Sequence, residues 1–564
     1  MPHATLPTPG LQAFILCGPG VSLNTFTSTP KDLPKALIPI ANRPMVWYPL
    51  DWCYRMGVTD ITLITPPESA QPLEAALATN PALTSLPNPK PEILAPAELS
   101  QTSGTGELLR LEEVQKAIVG DFVVLPCDFV SELEGTRLVQ QWMTLNPLAA
   151  GSSKSRRKAG GMVMLYPTHG LEGVSTKKDE TDFLATVQIA KPSVPPPQGS
   201  LREGVEEVVF NMPTDTLNDK LEGDKGYLRL RQSLMDRRGR VKMRMKWRDS
   251  GVYIFPKWVK DFARVNDRFD SISEDVLGWW AKAGWQDGLA DKVGLREVLE
   301  PPPTSTSTDN GAEDPDDHIS ASDLSSTKSS RPAPVQPTPQ FASRVHVNAA
   351  PAKTPLTIPP LLAYVQPSPA PSLIRRCDTT PQLLSLSLHL ARQPLTHPLS
   401  PEHKVHPSAQ LEQQTRVSAE DCLVGENVKL GFRSNVKESV IGAGCEIGKN
   451  VRITKSLLME GVVVGDGVVL HGCVIGRRAR IEGVKAVPPA EGQESGEKAE
   501  KGKKKKGAAD EEEERTRLTE CEVAPNYVVE AGTEAKGEKM MGFDTEGDEE
   551  GGFGGEDEEM EEEE

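Results

Sequence analysis

The sequence predicts an α/β domain built on a doubly wound, mainly parallel sheet, followed by a parallel β-helix. Three observations carry this expectation. Short apolar runs alternate with helical spacings from residue 11 to about 300. From about residue 405 aliphatic residues recur with a period of 17. Between the two, eighteen of the 49 prolines fall within residues 301–400.

In the first part, the apolar run Ala13–Cys17 ends at Gly18-Pro19-Gly20 and reads as a strand followed by a turn. Met45–Met56 reads as a helix, started by Pro44 and stopped by Gly57, and Ile61–Thr65 as a buried strand. Thr105–Ile118 has helical spacing, with Leu108, Leu111, Val114 and Ile118 on one face. A strand is expected at Phe122–Leu125, ending in Pro126-Cys127-Asp128, then a helix at Gly135–Leu145 and a strand at Met162–Tyr166. In Arg240–Trp247 the residues Val241, Met243, Met245 and Trp247 alternate with basic ones, the pattern of a half-buried antiparallel or edge strand. Val252–Phe255 reads as a further strand and Ser271–Trp285 as a helix. The α/β domain is thus drawn over residues 11–300.

Residues 301–402, rich in Pro, Ser and Thr, lack the apolar content to offset the entropy of ordering and are assigned to a linker or insertion that is mostly disordered. Two pieces are expected to be ordered, Arg344–Val347 as a strand and Pro360–Val365 as a strand or a short helix.

The β-helix is assigned to residues 403–542. Val424, Ile441, Leu458 and Ile475 are spaced by 17, as are Leu430, Ile447, Val464 and Ile481, with Val436, Ile453 and Leu470 between them. Gly follows the aliphatic residue at 425, 431, 442, 448, 465 and 476, where a tight corner needs positive φ or close backbone approach. Val405, Leu411 and Val417 make an imperfect first coil, and Val523 and Val529 a last one. A charged insertion at 487–514, with Lys503–Lys506 against Glu511–Glu514, interrupts the repeat and reads as a solvated loop.

The formal net charge is −17, and Asp544–Glu564 holds thirteen acidic residues without a Lys or Arg, so the rest of the chain is near balance. Residues 543–564 are read as a disordered acidic tail. No whole-chain basic excess favours a duplex nucleic-acid partner. Eight scattered cysteines without a CxxC pair suggest reduced thiols, and no apolar run reaches membrane-spanning length. No signal peptide is evident, so a cytosolic location is expected.

Residues 11–65 resemble the nucleotidyltransferase domain of the sugar-nucleotide pyrophosphorylases. The resemblance rests on Gly18, Gly20, Leu23, Pro34, Lys35, Ala36, Leu37, Pro39, Asn42, Arg43 and Pro44. In combination with the repeat it implies a Rossmann-type sheet followed by a left-handed β-helix. It also implies a phosphate loop at Gly18 and Gly20, a phosphate-pairing Lys35 and a magnesium carboxylate at Asp128. A second metal carboxylate would fall on Asp249 or Asp275. Gly104-Thr105-Gly106, opening a helix, has two readings: plain helix capping, which is favoured, and approach to a nucleobase or phosphate through its backbone. The family's Thr and Arg of the phosphate loop are replaced by Val21 and Ser22. Losing the Arg removes a bidentate phosphate donor, and one such transition-state contact contributes roughly 3–4 kcal/mol.

Within that superfamily, Leu33–Leu50 with its Trp47-Tyr48-Pro49-Leu50 quartet, Val123–Asp128, Gly104–Arg110, Val440-Ile441-Gly442 and Ser456–Met459 are similar to the gamma subunits of eukaryotic translation initiation factor 2B. The resemblance implies a non-catalytic partner of the epsilon subunit and of the remaining subunits of that complex. The complex exchanges GDP for GTP on initiation factor 2, and exchange catalysis resides in a helical-repeat domain of epsilon. The chain is therefore expected not to be an enzyme, to carry no cofactor, and to retain Gly18, Gly20, Lys35, Gly104, Thr105 and Asp128 only as vestiges of a nucleotide and metal pocket. Two other readings compete: a working sugar-1-phosphate nucleotidyltransferase or its regulatory homologue, and an acyltransferase using His471 of the coils as base. The acidic tail suits a solubilising end, or attraction of a basic partner such as a lysine-rich part of initiation factor 2.

Overall fold

The computed structural model describes residues 8–19, 21–100, 102–146, 158–171, 173–174, 179–223, 225–300, 356–483 and 515–542. Nine strands make one sheet: β1 (Gln12–Leu16), β2 (Asp60–Ile64), β3 (Glu92–Leu94), β4 (Phe122–Pro126), β5 (Gly161–Pro167), β6 (Asp182–Gln188), β7 (Val205–Pro213), β8 (Val241–Phe255) and β9 (Leu361–Val365). Their spatial order is β3-β2-β1-β4-β8-β5-β9-β7-β6. The β3, β2, β1 and β4 strands are parallel, and β8 runs antiparallel to β4 and β5.

The short apolar runs form strands because both faces of the sheet are covered. Ala13 and Ile15 of β1 pack into one core and Phe14 into the other; Val123 and Leu125 of β4 are split from Phe122 and Val124 in the same way. Helix α1 (Trp47–Met56) ends as expected at Gly57, whose φ of 83° suits a residue without Cβ. Helix α2 (Gly135–Leu145) matches its expected span.

The structure departs from the sequence reading at several elements. The expected helix Thr105–Ile118 is broken into Thr105–Leu108 and Glu112–Ala117. There the Gly106 N–H donates to the Asp270 carbonyl, and Arg110 donates to the carbonyls of Asn266 and Phe269, tying the first turn to a neighbouring loop. The two strands expected at 240–247 and 252–255 are one bulged strand, β8, whose first half pairs with β6 and whose second half lies between β4 and β5. That shared strand closes β8, β5, β9, β7 and β6 on themselves. Of the alternating residues expected inward, Met243 and Met245 are exposed. The helix expected at Ser271–Trp285 begins as a π-helical turn at Ile272–Val276 and continues as an α-helix only over Leu277–Ala283.

The linker expected over 301–402 is overturned in its last part. Arg344–Val347 lies outside the described residues, but the Pro360–Val365 expectation is met by β9, which sits between β5 and β7 inside the sheet. Strand Ile374–Arg376 and helix α3 (Thr380–Arg392) follow. Proline content misled because the prolines flank these elements, while Leu361–Val365 is buried throughout.

The repeat folds as three six-stranded parallel sheets, one per face of a prism. Val424, Ile441, Leu458 and Ile475, with Leu430, Ile447, Leu470 and their equivalents, fill its interior. The recurrent glycines serve close approach rather than positive φ. A Cβ on Gly442 would lie 2.6 Å from the backbone carbon of Met459, and one on Gly431 2.7 Å from that of Gly448. The left-handed positions fall elsewhere, on Asn427, Arg433, Asn450, Gly444 and Gly461 among others. Although residues 484–514, which include the charged insertion, lie outside the described residues, the ladder resumes in step, Val469 pairing with Arg517 and Val474 with Glu522.

One prism face is apolar on both sides. Leu423, Val440, Leu457 and Val474 point outward into the core that also holds Ile38, Val46 and Trp47 of the α/β domain. The Leu33–Leu50 segment supplies polar clasps there. Asn42 Nδ2 donates to Ile441 O (2.9 Å), and Arg43 donates to the carbonyls of Leu399 and Ser400 while stacking 4.2 Å over the Trp47 ring. At the far end of the prism, Thr25 Oγ1 donates to Glu522 Oε2 (2.9 Å).

Candidate functional site

In an open α/β sheet, ligands bind beyond the carboxyl ends of the parallel strands, near the point where strand order reverses. Here β1 and β4 deliver Gly18 and Asp128 to that place. A Cβ on Gly18 would meet nothing within 4 Å. Gly20 lies outside the described residues, and Ser22 is exposed. Over the ends of β1, β2 and β3 lies a cleft of about 260 Å³ lined by Pro19, Pro30, Pro66, Pro67, Glu68, Ser100 and small or apolar neighbours. No Lys or Arg is among its described lining residues.

Asp128 is fully buried and triply bonded to two cations. Lys35 Nζ lies 2.7 Å from Oδ2, Arg376 Nη2 lies 3.1 Å from Oδ2, and Arg376 Nε lies 3.1 Å from Oδ1. Lys35 is placed by the 3-10 turn Lys35–Leu37 after Pro34. Arg376 is placed by a two-stranded ladder in which it pairs with Phe129, and the Cys377 N–H donates to the Asp128 carbonyl. Burial pushes the Asp128 carboxyl up, but Arg376 and Lys35 outweigh it and hold the group well below the usual carboxylate range. Burial alone would lower Lys35; Asp128 instead holds it above its ordinary value. The carboxylate is thus ionised and neutralised by its own chain. A divalent cation reaching it would have to displace Lys35 or sit against two positive charges.

Beside this cluster, Arg248 pairs with Asp378 (2.6 and 3.2 Å) and with Glu180 (2.7 Å). Asp249, one of the two expected second carboxylates, is buried. Its Oδ1 accepts from the Gly251 N–H, its Oδ2 accepts from the Tyr253 hydroxyl (2.7 Å), and its own N–H donates to Asp182 Oδ2. Burial, then the Asp182 charge, raises its pKa to about 7 against the pull of those donors. Asp275 sits apart from this arrangement, its Oδ2 accepting from the N–H groups of Asp270 and Ser271 at the start of a helical turn. Among the described residues no group of three or more His, Cys, Asp or Glu is arranged to hold a metal ion.

Gly104, Thr105 and Gly106 face the 269–272 loop. A Cβ on Gly104 would lie 2.1 Å from Asp270 Oδ1, and Thr105 Oγ1 accepts from the Ile272 N–H. Both glycines are required there by close packing within the domain. The residues missed from sequence were Arg376, Arg248 and Asp182. Arg375-Arg376 flanked by Leu373-Ile374 and Asp378 stands out from the surrounding Pro-Ser context and was the available signal.

The Asp249 environment gives a pH prediction. Its folded pKa lies above the unfolded value of about 3.9, so between pH 4 and 7 the folded state binds the extra proton and stability falls as pH rises. Asp249→Asn is expected to unfold at about the same urea concentration as the parent at about pH 4, the unfolded pKa, and at a higher one above the folded value of about 7. A variant less stable than the parent at pH 8 contradicts this assignment.

An α/β domain of this topology docked on a three-sided β-helix defines the architecture, a Rossmann-like domain joined to a left-handed β-helix. A family model described as the eIF2B subunit epsilon LbH (left-handed β-helix) domain matches residues 403–489. The chain is similar to translation initiation factor eIF2B subunit gamma of Schizosaccharomyces pombe, at 25% identity over 301 residues, 53% of this chain and 57% of that protein. It thus spans a little over half the length of that curated relative. No helix among the described residues is long and apolar enough to cross a membrane.

Proposed function

We propose that this chain is a non-catalytic gamma-type subunit of translation initiation factor 2B. It pairs with the epsilon subunit, joins the other subunits in the cytosol, and promotes GDP–GTP exchange on initiation factor 2 without performing it. The likeness to a gamma subunit supports the complex, and one observation supports the absence of nucleotidyl transfer: Asp128 is occupied by Lys35 and Arg376. Transfer needs a cation clamp on the triphosphate and a metal on a free carboxylate. In this reading both functions are given up, the first at Ser22 and the second at Asp128. Gly18, Gly20 and Lys35 remain as the outline of an old nucleotide pocket, Gly104 and Thr105 being taken up by packing against the 269–272 loop, and no cofactor is retained.

Affinity capture of the tagged chain from native lysate, followed by mass spectrometry, tests the assembly. Recovery of the epsilon subunit in near-stoichiometric amount is expected. Recovery of the chain alone as a monodisperse species contradicts the reading.

A further inference from the structure

The segment 225–246 carries nine Lys or Arg and one acidic residue, Asp236. Lys242 and Arg244 share Glu206, but Arg231, Arg240 and Lys246 have no carboxylate partner among the described residues. The first half of β8 pairs with β6 on one side. On the other side, the pairing with β5 begins only at Trp247, so among the described residues the backbone of Val241–Met245 presents an open edge. Met243 and Met245 of that stretch are 43% and 46% exposed. An open basic edge with apolar side chains is a template for an extended acidic segment that also carries apolar residues.

The chain itself contains such a segment. Residues 543–564 hold thirteen acidic residues and no Lys or Arg, with Phe543, Phe553 and Met560 interspersed. The last coils of the prism lie against the α/β domain at the Thr25–Glu522 bond. A segment of 22 residues, the length that follows Gly542, can reach at most roughly 75 Å. We propose that the acidic C-terminal segment of this chain docks on its own basic β8 edge at Val241–Met245. The basic partner of the tail is then intramolecular, and a competing anionic or basic partner would release it. This proposal stands apart from the assignment of function above.

Zero-length carbodiimide cross-linking of the full chain, mixed 1:1 from unlabelled and nitrogen-15-labelled protein, tests it. Links from tail carboxylates to Lys242 or Lys246, within single-isotope chains, are expected at 50 mM salt. They should fall about tenfold at 1 M salt, where charges are screened beyond roughly 3 Å. The Arg231→Glu/Arg240→Glu variant leaves the acceptor lysines in place and should lose the same links. Failure of that variant to fold leaves the salt dependence of the parent chain as the deciding result. Absence of tail links, links to another surface, links only between mixed isotopes, or salt-independent yield would each overturn the proposal.

Discussion

Replacing Asp128 by Ala should destabilise the chain by about 3–5 kcal/mol, the usual cost of leaving a buried ionic partner unpaired. The magnitude follows from what remains: Lys35 and Arg376, both oriented on the lost carboxylate, would face one another across an empty site. The sign separates two accounts of the residue. A carboxylate kept free for a metal is commonly strained, and removing it tends to stabilise the fold. A carboxylate that locks two cations does the reverse. Replacing all three groups together, as Lys35→Met/Asp128→Leu/Arg376→Met, should recover much of the loss, because buried ion pairs exchanged for apolar residues are often neutral or better. The pH dependence has a defined sign. The folded pKa of Asp128 is depressed, so its contribution is complete above about pH 4 and is lost as pH falls through the folded value. The gap between parent and Asp128→Ala should therefore close in strong acid. Urea unfolding of both proteins from pH 7 downward provides the check; a difference under about 1 kcal/mol at pH 7 would remove the lock.

The second large effect is expected inside the prism. Leu458 is fully buried between Ile441 and Ile475 of the adjoining coils. Leu458→Ala should cost about 2–5 kcal/mol, the transfer term plus a cavity that rigid neighbouring coils cannot close. Because Leu457, on the opposite side of the same strand, belongs to the α/β core, the loss should also loosen the contact between the two domains. Hydrogen exchange should then rise both in the coils around 441–475 and at Asn42 and Arg43. Faster exchange in the coils alone would show that the shared face does not couple them.

Much of the architecture was legible because two physical signals are strong in one dimension. The strands of the parallel half are buried on both faces and read as unbroken apolar runs, as at Phe122–Leu125. The coils read through their period, since each aliphatic residue must stack on its equivalent one turn along. Strands β6 and β7 were missed because their burial is mixed and because Glu206, within β7, is stabilised by Lys242 and Arg244 from a distant strand. Strand β9 was legible at Pro360–Val365, but its place inside the sheet was obscured by the prolines around it. The outward residues of the docked prism face, Leu423, Val440, Leu457 and Val474, double the inward aliphatics, and that doubling was a readable mark of a covered face.

The site was legible only in part. Gly18, Lys35 and Asp128 could be marked because each follows a strand or turn within a short local motif. Their chemistry depends on Arg376, which lies 248 residues beyond Asp128 in sequence. Nothing local to Asp128 distinguishes a carboxylate awaiting magnesium from one closed by an arginine. The Gly104-Thr105-Gly106 turn was read as an approach to a ligand, whereas the close approach it provides is to Asp270 and Phe269. In both places the sequence specified the residue types required, and the identity of the neighbour came from tertiary structure.

In the function proposed above, Lys35 and Arg376 fill the place a metal would take, leaving a scaffold that binds partners rather than turning over nucleotides. Its most direct test is pyrophosphate release by the purified full chain, incubated with magnesium, a nucleoside triphosphate and mannose 1-phosphate. No release above the protein-free background is predicted, and adding the Asp128→Asn substitution should change nothing. Steady release that Asp128→Asn abolishes would contradict the account.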